Sequence, residues 1–308
     1  MSNLFLGLCC MFHQEPIKFR TYTKKKLESL NDSEARDKIL EVIINNVNSI
    51  EKSIDYCRIN NIKSYRVSSD IIPHWEYVNE RGIFTEKDKQ YFENMLKDIN
   101  TSNVCLSLHP GQHVNMGSPT VDVVDRSISD LLYHKFLADA LGFKEINIHL
   151  GGTYGNPVEA KKRFIENVKS RIPEIIPYLT IENDELSYNV LDCFEVCTEL
   201  GCRLTYDLHH QRCNHINNPT ELSEKQMFDM AKQTWTNLGK DYMRMHISTP
   251  KHGYTTPSKS RAHSDMIEPN DIPDWLLYES NLFDIHIDVE AKNKETAIFS
   301  LNESLNLR

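Results

Sequence analysis

Apolar and polar positions alternate in blocks along this chain, and the blocks predict its architecture. Eight short runs rich in Leu, Ile, Val, Met and Tyr read as strands, at residues 4–10, 64–69, 104–109, 145–150, 178–183, 203–209, 242–248 and 284–290. Between them, helical patterns fall near 34–60, 86–100, 121–141, 157–171, 189–200, 223–236, 271–280 and 293–305. Start and stop signals agree with these elements. Asp32 or Ser33 is placed to cap the first helix and Thr85 the next, while Gly142 and Gly201 stand where helices must stop before a following strand. Eight strand–helix alternations predict a (β/α)8 TIM barrel, with residues 1–308 as a single domain. An open doubly wound sheet would carry a Gly-rich phosphate loop after its first strand, and "LCCMFHQEP" contains none.

Composition narrows the class. At 308 residues, 40% hydrophobic and 26% charged, the chain reads as a globular protein with enough length for a large core. No apolar stretch is as long as a membrane span, and "MSNLFLGLCCMF" lacks the basic start and cleavage site of a secretory signal, so a soluble intracellular protein is expected. The 8 cysteines form no paired framework and point to a reducing compartment. Cys193, Cys197 and Cys202 resemble a metal cluster by count, but their positions on a helix and the following strand favour buried free thiols.

Net charge of −9 argues against a sequence-blind nucleic-acid coat. Its distribution alters that picture. "PIKFRTYTKKK" (16–26) and "PKHGYTTPSKSRAH" (250–263) carry Lys18, Arg20, Lys24, Lys25, Lys26, Lys251, Lys259 and Arg261 without one acid between them. Both segments follow strands, the first and the seventh, whose ends face the same side of a barrel.

The candidate chemistry lies at those strand ends. His109 ends the third, His149 the fourth, Glu182 the fifth, Asp207 and His210 the sixth, His246 the seventh and Glu290 the eighth, and His263 and Asp265 follow in the seventh loop. One polar residue capping one strand is ordinary. Six consecutive strands ending in metal-competent side chains are better explained by convergence on one mouth, where parallel barrels keep their active sites. Imidazoles and carboxylates suit Zn, Mn, Fe(II) and similar ions, and the donors exceed the need of one four-coordinate ion. A cluster of two or three divalent ions is the expectation, suited to attack at phosphorus.

Nine stretches, "LGLCCMF", "YRVSSDIIP", "SLHPGQ", "INIHLGG", "TIENDE", "YDLHH", "MHIS", "HSDMI" and "DVEAKNKE", run in order from residue 6 to 295. Together they resemble the UV damage endonuclease family, whose barrel is similar to that of endonuclease IV. The resemblance implies nicking of damaged double-stranded DNA immediately 5′ to pyrimidine photoproducts and some other lesions, with Mn-type ions, although Zn, Co or Mg would fit the same donors. It implies metal ligands at His109, His149, Glu182, Asp207, His210, His246, His263 and Glu290, with Glu182 bridging and His74 as a further family histidine with a catalytic part. It implies a helix-probing role for Gln112, and His113 and Asn115 beside it, with Lys251, Lys259 and Arg261, are the other expected DNA contacts. No membrane partner and no obligate protein partner are expected.

The sequence departs from the family pattern at Leu8, Phe12, His113 and Arg244. His113 replaces a larger aromatic that follows "PGQ". Arg244 replaces a lysine and would offer a permanent charge to the phosphate, as would Lys251. Two other readings use the same residues. One is a metal-dependent, sugar-isomerase-like barrel enzyme; the other is a damaged-DNA-binding protein without catalysis.

Overall fold

The computed structural model describes residues 3–307. Eight parallel strands close into a barrel in chain order: β1 (Leu4–Cys9), β2 (Ser64–Val67), β3 (Cys105–Leu108), β4 (Ile146–His149), β5 (Leu179–Glu182), β6 (Arg203–Asp207), β7 (Tyr242–Ile247) and β8 (Asp284–Val289). Closure runs through β1 and β8, with Leu4 opposite Ile285 and Gly7 opposite Asp288. All eight strands and eight helices lie where periodicity places them, with strand ends one or two residues shorter and the expected 271–280 helix reduced to Asp274–Glu279. Lys24–Glu28, Trp75–Glu80, Leu208–His215 and Pro257–Ser260 are further helices. His210 stands on Leu208–His215, which Asp207 caps, rather than at a strand end. No helix among the described residues is long and apolar enough to cross a membrane.

The strands are two-faced. On β8, Ile285, Ile287 and Val289 join the apolar core under the helices, as do Met243, Met245 and Ile247 on β7. The alternate positions turn inward and are polar: Ser64, Glu145, Arg244 and Asp288 are buried and joined across the barrel. Many barrels fill this space with branched aliphatic residues; here the hydrophobic adhesion lies almost wholly outside the barrel wall. Gly7 belongs to the same arrangement. A Cβ there would sit 2.8 Å from the Ser64 Cβ and 3.0 Å from Asp288 Oδ1, so only glycine leaves room for the polar layer.

Local signals explain the helix ends, with one correction. Asn31, rather than Asp32 or Ser33, caps the helix Asp32–Ile59, because its side chain accepts from the Glu34 amide while Glu34 reaches back to the Asn31 amide. Thr85 caps Glu86–Lys97 in the same reciprocal way with Asp88. Gly142 and Gly201 end their helices at φ of 78° and 67°. All eight cysteines are free, and Cys193, Cys197 and Cys202 are buried in the core.

The long connection after β1 is an ordered strap. Glu295 accepts from the amides of His13 (2.7 Å), Gln14 (2.6 Å) and Glu15 (3.2 Å). Buried Asn46 accepts from the Arg20 amide at 2.7 Å and donates to the carbonyls of Arg20, Asp70 and Ile71. Ser49 donates to the Lys18 carbonyl at 2.9 Å. The basic side chains of residues 16–26 therefore project from a fixed backbone on the strand-end side of the barrel.

Candidate metal centre

Glu182 stands at the centre of the mouth, 1% exposed. Its Oε2 lies 3.1 Å from His109 Nε2 and 3.8 Å from His149 Nε2. Its Oε1 lies 3.1 Å from His210 Nδ1 and 3.2 Å from His246 Nδ1. Asp207 Oδ2 is 3.5 Å from His210 Nδ1 and 3.8 Å from His246 Nδ1. Two donor groups result, His109–His149–Glu182 and Glu182–Asp207–His246, each with ligand atoms within 4.8 Å of one another. One carboxylate serves both.

The second partners of the rings fix their orientation. Carbonyl oxygens take the Nδ1 side of His109 (Pro110, 3.0 Å), His210 (Asn183, 3.1 Å) and His263 (Glu290, 3.1 Å). At His210 burial is overcome by Asp207 and Glu182, which hold the ring well above its ordinary value. Burial keeps His109 below its ordinary value, and a neutral imidazole has one N–H, so its Nε2 then carries a lone pair. At His109 that lone pair faces a carboxylate oxygen, an arrangement a cation between the two would relieve. His246 is turned the other way: its Nε2 is 3.5 Å from Asp288 Oδ2 and its Nδ1 looks into the centre. Buried Glu182 Oε1, Asp207 Oδ2 and both His246 nitrogens lack hydrogen-bond partners among the described residues. Orphaned buried donors and acceptors are costly, and an imidazole–carboxylate set of this density fits divalent cations. The residues present therefore fit a metal cluster.

Electrostatics point the same way. Burial pushes imidazoles down, and at His109 it prevails over Glu182 and leaves the ring below its ordinary value. At His246 burial is overcome by Glu182, with Asp288 and Glu290, and the ring is lifted to about 10. Burial would raise Glu182, yet the histidines around it hold the carboxyl well below the usual range. Burial raises Asp207 against the pull of His210. The site is rich in carboxylate charge that needs cations.

Glu290 and His263 close the mouth from β8 and from the loop after β7. His263 Nε2 is 3.8 Å from Glu290 Oε2, and Glu290 Oε1 is 3.6 Å from His246 Nδ1. A bridge between Pro250 and His263 folds that loop back on itself and presents Lys251 and Lys259 outward. Arg261 is paired with Glu185 at 2.9 Å. Gln112 is exposed, and His113, whose side chain is 71% exposed, lies 2.6 Å from Asp130 Oδ2. Asn115 donates to the Tyr154 hydroxyl at 2.9 Å and packs under Gly151. A hollow of about 750 Å³ beside His109 is lined by His74, Trp75, Tyr77, His113 and Tyr133.

Two expectations change. His74 does not join the metal donors: its Nε2 meets the Tyr22 carbonyl at 2.8 Å, making it an anchor of the strap. Arg244 is not at the phosphate level either. It is 1% exposed, deep in the barrel, with Nε on Glu145 (2.7 Å) and Nη1 on Asp288 (2.8 Å) and on Ser64. Inward side chains lie lower in the barrel the earlier they fall in a strand, and Arg244 precedes His246 by one inward step. Leu8 faces the helices within the core, and Phe12 packs edge-on against Tyr56 at 5.1 Å.

Several residues at the centre escape a reading of strand ends. Arg66 reaches Glu290 Oε1 at 2.6 Å. Asp288 orients His246, Asn147 donates to Glu182 Oε2, and Asn183 exchanges bonds of 2.9 Å with the Asp207 backbone. His209, adjacent to His210, turns to Tyr254 at 3.1 Å. The signal that would have found Arg66 and Asp288 is the period-two polarity inside strands read as apolar.

A family model described as UV-endonuclease UvdE matches residues 5–308. A UV DNA damage endonuclease of Nostoc sp. is 29% identical over 309 residues, covering 96% of this chain and 88% of its own. The crystal structure of SacUVDE superposes with a TM-score of 0.81 at 25% identity, covering 98% and 99% of the two chains. Endonuclease IV from Thermus thermophilus shares the fold, with a TM-score of 0.56 at 11% identity over 84% of this chain and 95% of its own.

Proposed function

This chain belongs to the UV-endonuclease UvdE family, and from that premise we propose that it is a DNA repair endonuclease that nicks damaged duplexes 5′ to UV photoproducts at a cluster of two or three divalent ions. The observation that carries the reading is the shared Glu182, which offers one oxygen to His109 and His149 and the other to His246 beside Asp207. His109, His149, Glu182, Asp207 and His246 would hold the ions, with His210, His263 and Glu290 completing the set. Divalent ions of the Mn, Zn, Co or Mg type supply water activation and neutralisation of the leaving oxygen when bound there.

The protein's own groups do the rest. Backbone carbonyls orient the rings of His109, His210 and His263, and the Asp288 carboxylate faces His246 Nε2 at 3.5 Å, so that these donors need little reorganisation as charge develops. The strap and the hairpin after β7 bring Lys18, Lys24, Lys25, Lys26, Lys251 and Lys259 to the mouth side, where they suit a phosphate backbone. Gln112 is free to enter the helix, and His113 must leave Asp130 to join it. Damaged, poorly stacked bases cost least to displace.

The test is a denaturing-gel assay with Mn²⁺ on end-labelled duplexes carrying a thymine dimer, a 6-4 photoproduct, an abasic site or no damage, with His109→Ala as control. A nick 5′ to the photoproduct that the variant loses is the expected result. Cleavage at abasic sites alone would shift the substrate. Band shifts on damaged duplex without nicking under any metal would favour the binder, and a hexose changing form on metal addition would favour the isomerase-like enzyme.

A further inference from the structure

Arg66 lies on the inward face of β2, and its side chain climbs to the metal mouth, where Nη1 donates to Glu290 Oε1 at 2.6 Å. It is 9% exposed. A guanidinium has five N–H donors in a rigid fork. Arg66 directs Nη1 to Glu290, while its buried Nε has no partner among the described residues. The nearby Cys10 thiol, a weak donor, is turned to the Val67 carbonyl at 3.9 Å. The second inward arginine makes the contrast. Arg244 Nε, Nη1 and Nη2 are all engaged, by Glu145, by Asp288 and Ser64, and by Cys105. One arginine is saturated and sits below the metal donors; the other keeps N–H groups to offer beside them.

We propose that Arg66 is the catalytic cation that grips the scissile phosphate, with Glu290 setting its fork and a non-bridging phosphate oxygen taking the remaining donors. Arginine pairs with phosphate through two parallel N–H bonds, a geometry lysine cannot reproduce. The phosphate lies against Glu290 and the shared Glu182, so the same fork follows the negative charge that builds as the attacking oxygen arrives. The inference rests on the nuclease reading for its substrate, but its chemistry needs only a phosphodiester anion.

The test uses Arg66→Ala, Arg66→Met and Arg66→Lys in the full chain, checked for folding by thermal melting. Mn²⁺ stoichiometry is measured by electron paramagnetic resonance. Dimethyl phosphate binding to the Mn²⁺-loaded protein is measured by ³¹P relaxation, and kcat and KM are measured on the photoproduct duplex. The expected result is unchanged Mn²⁺ stoichiometry and a roughly tenfold loss of dimethyl phosphate affinity in Ala and Met. In these variants kcat falls by about 10²–10³ with KM within about threefold, and Lys restores part of the loss. Binding and kcat within about threefold of wild type would overturn the proposal. So would a loss of Mn²⁺ stoichiometry in Ala and Met that accounts for the activity loss, because Arg66 would then serve only as the counter-ion of Glu290. If the wild type nicks no duplex, the nuclease reading fails, and the phosphate titration still decides the role of Arg66.

Discussion

Asp288 touches no expected metal donor except His246, whose Nε2 its carboxylate faces at 3.5 Å while Nδ1 is turned to the centre. Replacing Asp288 by Asn keeps its shape and removes the negative charge that faces Nε2. Second-layer partners of this kind change metal affinity by about 10–100-fold, and that weakening of Mn²⁺ binding is the expected outcome for Asp288→Asn in a metal titration. Arg244 carries a different load. Its guanidinium neutralises Glu145 and Asp288 in a dry interior, and burial, which would raise Asp288, is overcome by Arg244 so that this carboxyl stays far below its usual range. Arg244→Met strands two carboxylates, a change that costs about 3–5 kcal/mol when a buried ion pair loses one partner. Urea unfolding of the variant measures it, and a change under about 1 kcal/mol would show that the network contributes little.

Among the elements, the helix Glu86–Lys97 gives the clearest pH behaviour. Asp88 receives the Thr85 amide and hydroxyl and a two-pronged bond from Arg36. Burial raises the Asp88 carboxyl, but these bonds outweigh it and hold it below its ordinary value. A depressed carboxyl contributes stability that is present above the unfolded value and lost as pH falls through the folded one. The stability gap between wild type and Asp88→Asn is therefore full at neutral pH and closes below about pH 4, as paired denaturation curves would record. The strap makes a second prediction. Asn46→Ala removes the bonds to Arg20, Asp70 and Ile71, so trypsin should cut within residues 16–26 faster while the barrel stays folded; an unchanged digestion rate would mean the other anchors suffice. These two elements also show what was legible. The Thr85 cap could be read because its partner lies three residues away. The strap could not, because its anchors Asn46, His74 and Glu295 are remote in sequence and gain meaning only once the barrel brings them to it.

At the scale of the whole molecule, lysines on the outer helices such as Lys38, Lys89 and Lys97 are paired with neighbouring acids, whereas Lys251 and Lys259 in the loop after β7 are exposed. A duplex bound there releases counterions, and each phosphate contact contributes about −0.9 to the slope of log affinity against log salt. Lys251→Ala with Lys259→Ala should flatten that slope by about 2 without changing metal loading; an unchanged slope in fluorescence anisotropy would place the duplex elsewhere. The fold itself was open to reading because each strand announces its own apolar run and each long helix its own period, whereas the short helices Trp75–Glu80 and Leu208–His215 carry no such period. The candidate donors were open for the same reason, since His109, His149, Glu182 and Asp207 end strands that a barrel must align. Arg66 was closed to a reading of strand ends. Its partner Glu290 is 224 residues away, and a single arginine inside "SYRV" looks like an interruption of a strand until closure puts β8 beside β1, one strand away from β2.

The two-faced strands have one more consequence, which concerns errors of assembly. Side chains alternate across a strand with period two, so a slip of one residue exchanges its faces. In a barrel filled with aliphatic residues, such a slip trades one greasy surface for another and can persist as a near-native rival. Here a slip of β8 would drive Asp288 and Glu290 into the helix layer and turn Ile287 and Val289 toward the carboxylates. The misassembled form would lose adhesion and gain unpaired charge in the same stroke. The polarity that equips the mouth thus also proofreads the register of its own wall.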